Sequence, residues 1–161
     1  MLSKKPLYVQ EPPAYVFLGV TMKIHLSGEQ TGGEFSLTSA TMPPGGDGGL
    51  HVHTREDEAV YLLDGSLDVT IAEETFTLKA GQAYFAPRNI PHRLRNTGDI
   101  PARALLINTP GNFDKFLTRA GVPAVGAEPP APFPDEEQVA RLLALAEGFG
   151  VKILAPPTGR M

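Results

Sequence analysis

Short runs of alternating apolar and polar residues, separated by turn-forming residues, are the feature that most constrains the fold of this chain. Between about residues 15 and 108 the runs are interrupted by segments such as SGEQTGG, PPGGDGG, APRNIP and NTGD. The segment SLDVTIA alternates, with Leu67, Val69 and Ile71 on one face. Such strands, without a long helical period among them, predict an antiparallel β-sandwich or barrel. We interpret Asp64-Gly65 as the turn of a hairpin between AVYLL and SLDVTIA.

The pattern becomes helical after the predicted barrel, over about residues 112–150. FDKFLTRA predicts a short helix that Asn112 caps and Gly121 ends, with Phe113, Phe116, Leu117 and Ala120 on one side. A connector rich in proline and alanine follows, roughly residues 122–134. DEEQVARLLALAEGFG then predicts an amphipathic helix that packs against the barrel wall through Val139, Leu142, Leu143, Ala146 and Phe149. We expect VKIL to form an edge strand and the tail APPTGRM to fray.

Length and composition limit the classes of function. A chain of 161 residues predicts a single domain with one core. Its 14 basic residues are scattered among 18 acidic ones, which argues against nucleic acid or an anionic membrane as the main partner and favours a small molecule. The chain has no cysteine, so a disulfide, a thiolate nucleophile and cysteine-ligated zinc are excluded. Any metal would therefore be held by imidazole and carboxylate groups.

The start of the sequence indicates a cytoplasmic protein. MLSKKPLYVQEPPAYVFLGV carries a lysine pair, but the apolar stretch after it is only a few residues long and follows Pro12-Pro13. A secretory signal peptide needs a longer apolar region. No run of apolar residues approaches the length of a membrane span.

Two of the four histidines flank a single valine. Residues two apart in a strand point to the same face, so His51 and His53 can aim at one point in the barrel interior. Glu58 comes after the polar segment 54–57, and a turn there would reset the alternation and let Glu58 face the same interior. His92 alternates with Leu94 and therefore also faces inward.

Three imidazoles and one carboxylate in an apolar interior are a suitable donor set for one divalent transition metal. Buried neutral histidines would otherwise leave unpaired polar atoms, which is costly. Fe, Mn, Co, Ni and Zn all suit these donors, and the sequence does not rank them. His25, the fourth histidine, has no companion at ligand spacing, so we interpret it as a structural strand residue.

The same residues resemble the two conserved motifs of the cupin superfamily. The first motif is matched by Gly45, His51, His53, Glu58 and Gly65. The second is matched by Gly81, Pro87, His92 and Asn96, with Asn89 where the family usually has glycine. Asparagine tolerates the left-handed conformation, so we expect this turn to survive.

The resemblance implies a cupin-type jelly-roll β-barrel in which His51, His53, Glu58 and His92 bind the metal. A barrel that keeps these residues without using a metal is the alternative. HVHTREDEAVYLLDGSLDV and FAPRNIPHRLRNTGDIPAR are similar, more specifically, to single-domain bacterial cupins grouped with quercetin 2,3-dioxygenase. That likeness implies a dioxygenase of a flavonol-like aromatic or enolic compound, with Glu58 as both ligand and base. A non-oxidative isomerase or lyase and a small-molecule-binding cupin without turnover are the other hypotheses.

The interior beside the metal should be apolar. We expect the core or a substrate pocket to be formed by Val60, Leu62, Phe76, Phe85, Leu94, Leu106, Phe113 and Phe116, the last two as a possible lid. Tyr61 and Tyr84 alternate away from this interior.

Two further features have simpler interpretations. Arg55, Glu56 and Asp57 are typical of solvated charges on a turn, although one of them could orient a ligand histidine. The glycines of PPGGDGG are not followed by a helix, so they do not predict a phosphate loop.

Many cupins pair, and the segment LYVQEPPAYVFLG could cross to a second copy; we therefore expect a homodimer.

Overall fold

The computed structural model describes residues 5–125 and 134–158. Within them lie twelve strands and two α-helices. The strands are β1 (Ala14–Phe17), β2 (Val20–Leu26), β3 (Ser36–Met42), β4 (Leu50–His53), β5 (Asp57–Asp64), β6 (Ser66–Ile71), β7 (Glu74–Lys79), β8 (Ala83–Ala86), β9 (His92–Arg95), β10 (Ala102–Thr109), β11 (Val122–Pro123) and β12 (Val151–Ala155). The helices are α1 (Phe113–Ala120) and α2 (Glu136–Ala146), and the 3-10 turn Glu147–Phe149 follows α2.

The strands form two antiparallel sheets. The larger has the order β11-β1-β2-β3-β10-β5-β8, and the smaller has the order β12-β4-β9-β6-β7. Apolar residues of both sheets, such as Val60 and Leu62 on β5 and Leu67 and Val69 on β6, meet in one buried core. The predicted antiparallel jelly roll is confirmed, although the two sheets are not joined by hydrogen bonds into one closed barrel.

The turn at Asp64-Gly65 is present, but its interpretation as a hairpin turn is wrong. It links β5 of the larger sheet to β6 of the smaller one, so the two strands do not pair as a hairpin. Gly65 has a φ of 79°, and a Cβ on it would lie 2.9 Å from the Pro101 carbonyl oxygen. Alternation on both sides of a glycine predicts two strands, but it does not say whether they belong to one sheet. The hairpin is formed instead by β6 and β7, which pair along their whole length.

Both predicted helices are present. Phe116 and Leu117 of α1 are buried, and the Gly121 amide donates to the Leu117 carbonyl where the helix ends. The Asp135 side chain accepts a hydrogen bond from the Gln138 amide, 2.7 Å away, at the start of α2. Leu142 and Ala146 face the core, but Leu143 is 49% exposed, so its place in the apolar stripe was wrong.

The end of the described chain is fixed by strand pairing and hydrogen bonds, whereas the tail was expected to fray. β12 pairs with β4 at the edge of the smaller sheet, as expected for VKIL. Beyond it, the amide and hydroxyl of Thr158 both donate to one carboxylate oxygen of Asp47, at 3.0 and 2.9 Å. Residues 126–133 of the predicted connector and the last three residues lie outside the described residues, and Val122–Pro123 pairs with β1. No helix in the described ranges is long and apolar enough to cross a membrane.

Candidate metal centre

The two sheets bring the three predicted histidines together. His51 and His53 lie on β4, and His51 is directly opposite His92 of the neighbouring strand β9. One ring nitrogen from each histidine lies within 4.8 Å of those of the other two. Glu58 reaches the same point from β5 of the opposite sheet. His53, His92 and Glu58 are almost fully buried, and His51 is half-buried.

The spacing of these groups fits donors that share an ion. His53 Nε2 lies 3.5 Å from Glu58 Oε2, and His92 Nε2 lies 3.4 Å from Glu58 Oε1. Neither Nε2 atom has a hydrogen-bond partner among the described residues, although both are buried. Two donors that are each about 2.1 Å from one ion lie about 3.0–3.5 Å apart. The orphaned nitrogens and their separations from Glu58 are therefore those expected around a metal.

The second nitrogen of each ring faces an acceptor. His51 Nδ1 is 3.0 Å from the Gly49 carbonyl oxygen, and His92 Nδ1 is 3.1 Å from the Ile90 carbonyl oxygen. A proton on Nδ1 leaves the Nε2 lone pair free for a metal, which is the common arrangement of metal-bound histidines. The turn at Asn89 supports this geometry, since it has a φ of 68° and its amide donates to the His53 carbonyl.

Glu56 is the acceptor that faces Nδ1 of His53. Its carboxylate lies 3.4 Å from His53 Nδ1, and the residue is only 1% exposed. The expectation of a solvated charge is therefore wrong for Glu56. The expectation of a charge near the surface agrees better with the two neighbours of Glu56. Asp57 pairs with Arg88, and Arg55 donates to the Gly148 carbonyl at the exposed surface.

Glu58 is fixed by two residues that the sequence did not single out. Tyr84 Oη donates to Glu58 Oε1 at 3.1 Å, and Asn108 Nδ2 donates to Glu58 Oε2 at 3.2 Å. Tyr84 was expected to face outward, which is wrong. β8 reads AYFA, so each of its faces carries one aromatic residue and one alanine, and alternation could not choose between them. Asn108 does alternate with Leu106 on β10, and that pattern could have indicated an inward-facing amide.

The charges of the buried carboxylates control protonation of the cluster. Burial, followed by the nearby imidazoles, lowers the pKa of His51 to about 3. Burial opposes protonation of His53 too, but the nearby carboxylates of Glu56 and Glu58 outweigh it and raise the pKa of His53 to about 9. The same contacts with His53 and His92 outweigh the effect of burial on Glu58 and hold its pKa well below the usual value.

An apolar cavity opens beside His51 and Glu58. It has an empty volume of about 790 Å³, part of which is open to solvent. Its walls come from both sheets and from the C-terminal elements, including Leu94, Leu106, Phe113, Phe116, Leu142 and Ile153. The Phe113 ring also packs edge-on against His53, with centroids 5.2 Å apart.

The predicted pocket residues divide into three groups. Leu94, Leu106, Phe113 and Phe116 line the cavity. Val60 and Leu62 are buried in the core without lining it. Phe76 and Phe85 are 39% and 58% exposed, so their assignment to the interior was wrong. Phe76 lies opposite Val69 but on the edge strand β7, and Phe85 lies on the outer face of β8.

Comparison with known proteins agrees with this fold. Residues 38–108 match the family model of the cupin domain. The fold is that of a cupin. A predicted oxalate decarboxylase from Thermotoga maritima has a similar structure, with a TM-score of 0.59 and 24% identity over 65% of this chain and 98% of that one. This structural likeness shows a shared fold, and the family match concerns residues 38–108 only.

Two curated relatives align with part of this chain. An uncharacterised protein, MJ1618, from Methanocaldococcus jannaschii is 33% identical over 47% of this chain and 60% of its own length. The polyketide synthase CurC from Streptomyces cyaneus is 39% identical over 44% of this chain and 46% of its own length. This chain thus spans about half the length of the curated relatives it matches.

Proposed function

We propose that this chain is a cupin and a metal-dependent enzyme, a dioxygenase that acts on an aromatic or enolic small molecule. Its ligands would be His51, His53, His92 and Glu58. The observation that carries the proposal is the buried group of imidazoles and carboxylate with unpartnered Nε2 atoms at the end of an apolar cavity. Four protein donors leave one or two positions open on an ion that takes five or six ligands.

The bound metal would supply Lewis acidity towards an oxygen atom of the substrate. The chain's own residues supply the rest. Glu58 accepts the proton of an enol, and the hydrogen bonds from Tyr84 and Asn108 keep its carboxylate oriented towards the cavity. The apolar walls exclude water and hold the body of the substrate.

The names of relatives are compatible with an enolic substrate. CurC is described as a polyketide synthase, and a tetracenomycin polyketide synthase protein, TcmJ, from Streptomyces glaucescens is 35% identical over 43% of this chain. Polyketide chains contain ketones that enolise readily. We take this as support for the class of reacting group and not for a particular compound.

Oxygen uptake tests the proposal directly. Metal-free protein is loaded separately with Fe(II), Mn, Co, Ni and Zn, and each form is supplied with a panel of flavonols, β-diketones and enolisable keto acids in an oxygen electrode. We expect oxygen consumption with at least one redox-capable metal and none with Zn. Product formation without air, with Zn as effective as Fe(II), would instead identify an isomerase or lyase. Saturable thermal stabilisation by a panel member with no product under any condition would identify a binding protein.

We also propose that the partner of this chain is a second copy of itself. Several large apolar side chains are exposed on the outer face of the larger sheet, among them Tyr61, Phe85 and Ile107. An exposed apolar surface of this kind is typical of an interaction site. A cytoplasmic location and the absence of nucleic-acid binding stay predictions, which cell fractionation and an electrophoretic mobility shift assay would check.

A further inference from the structure

We infer that the substrate is an amphiphile with one polar, metal-facing end and a body that carries no hydrogen-bonding groups. This inference rests on the proposed function, because it assigns the polar end to the metal centre. It narrows the substrate class, since it excludes flavonols with hydroxyl groups on both ring systems.

The composition of the cavity wall carries the inference. Among the described residues, His51 and Glu58 are the only polar side chains that line the cavity, and both belong to the proposed metal site. The remaining lining consists of apolar side chains and the backbone at Gly48. Ser36 and Thr38, two other inward-facing polar residues of the larger sheet, are fully buried and do not line the cavity.

A wall of this kind discriminates against polar substituents. A hydroxyl group that leaves water and finds no partner weakens binding by about tenfold or more. No lining side chain away from the metal end could accept from or donate to such a group. Each hydroxyl on the body of a ligand should therefore reduce its affinity, whereas polar atoms at the metal-facing end should not.

One residue of the wall has an unusual backbone conformation. Leu18, in the turn between β1 and β2, has a φ of 53°, although leucine rarely adopts positive φ. Its side chain is buried and lines the cavity. Strained residues that the surrounding structure maintains are often found at binding sites. Met22 and Met42 line the same cavity, and their flexible side chains can adapt to an apolar body.

Matched pairs of compounds test the inference. Zn-loaded protein is titrated by calorimetry with 3-hydroxyflavone and quercetin, which share a chelating end but differ by four hydroxyl groups. A smaller pair, phenylpyruvate and 4-hydroxyphenylpyruvate, differs by one. We expect the less hydroxylated member of each pair to bind at least tenfold more tightly. Equal or tighter binding of the hydroxylated member overturns the inference, as does failure of all four compounds to bind protein that retains its metal.

The metal content of the protein, measured after each titration, separates this inference from the proposed function. Protein that holds no metal would contradict the metal site itself. Protein that holds metal and consumes oxygen with a polyhydroxylated substrate would contradict only the inference about the wall.

A change in the wall gives a second test. Ala104 lines the cavity, and Ala104→Ser adds one hydroxyl there. The variant should reduce the preference for phenylpyruvate over 4-hydroxyphenylpyruvate by at least threefold. Ala59→Ser is the matched control, because Ala59 lies on the opposite face of the same sheet, beside Phe85 and Ile107. The same ratio in wild type and both variants would show that the wall does not set the preference.

Discussion

At the scale of single residues, the candidate centre depends on atoms that hold the histidine rings in place. Backbone carbonyls face Nδ1 of His51 and His92, whereas a carboxylate, Glu56, faces Nδ1 of His53. A carboxylate in this position increases the basicity of the metal-binding nitrogen and fixes the orientation of the ring. Glu56 would therefore act as a positioning residue for the proposed metal.

Glu56→Gln should weaken metal binding by about 10-fold to 100-fold, the range usual for loss of such a partner. Competition with a chelator of known affinity measures the effect. Asp57→Asn is the matched control, since Asp57 is the adjacent acidic residue but pairs with Arg88 at the surface. Equal losses of affinity in the two variants would mean that local structure, and not the contact with His53, is responsible.

Metal binding should also displace a proton. The pKa of His53 is raised to about 9 without metal, so the ring is protonated at pH 7, and a metal can bind only after that proton leaves. His51, with a pKa lowered to about 3, has no proton to lose. We expect His53 to release close to one proton per ion at pH 7 and metal affinity to fall as the pH is lowered. Calorimetry in buffers with different ionisation enthalpies measures this release, and binding without it would contradict the assignment of His53.

At the scale of elements, Asp47 connects three parts of the chain around the centre. It accepts hydrogen bonds from Arg93, next to His92 on β9, from Gly49, just before β4, and from Thr158, just after β12. β12 carries Val151 and Ile153, which line the cavity. The carboxylate therefore fastens the C-terminal wall of the cavity to the strands that carry the histidines.

Asp47→Asn should destabilise the protein by about 1.5–3 kcal/mol at pH 7, because it replaces charged hydrogen bonds. Burial raises the pKa of Asp47, but the contacts with Arg93, Thr158 and Gly49 outweigh this effect and lower it to about 2. The stabilisation is therefore complete above the unfolded pKa of about 3.8 and is lost as the pH falls through about 2. Urea unfolding from pH 7 to pH 3 should show the difference from wild type shrinking with acidity.

The control for this prediction is Asp64→Asn. Asp64 pairs with Arg103, but both side chains are more than half exposed, so the change should cost less than about 1 kcal/mol. Comparable destabilisation by the two substitutions would contradict the role given to Asp47.

Sequence periodicity predicted the strands better than their partners. Leu67 and Val69 face the core as expected, because a six-residue strand with regular alternation has only one apolar face. The four residues of β8 carry no such asymmetry, which is why Tyr84 and Phe85 were interchanged. The pairing of β5 and β6 failed for another reason, since contacts between strands distant in sequence decide which sheet a strand joins.

At the scale of the whole molecule, the fold and the convergence of the three histidines could be predicted because both follow from the spacing of residues in the two sequence motifs. The spacing of His51 and His53 fixes their common face, and the second motif supplies His92 from the adjacent strand. The hydrogen bonds to Glu58 and the composition of the cavity could not be predicted in this way. They depend on how the two sheets and the C-terminal helices pack, and single-strand patterns do not contain that information.

The exposed face of the larger sheet leads to a prediction about assembly. If two copies pair through this face, Phe85→Ser should increase the dissociation constant of the dimer by at least tenfold, because it removes a large apolar side chain that is 58% exposed in the single chain. Sedimentation velocity over a range of concentrations measures this. Val125→Ser is a control with an even more exposed apolar residue, which lies beyond the end of the edge strand β11. Wild-type protein that stays monomeric at high concentration would contradict the proposed pairing.

The metal content of the protein and its histidine variants tests the central claim most directly. Elemental analysis should find about one divalent ion per chain in the wild type and in the control variant His25→Ala. The His25 ring forms a hydrogen bond with Ser39 at the outer face of the larger sheet. His53→Ala and His92→Ala should lose nearly all of the ion while circular dichroism shows an unchanged fold. Full metal content in these two variants, or none in wild-type protein exposed to all five metals, would contradict the assignment of a metal centre to this chain.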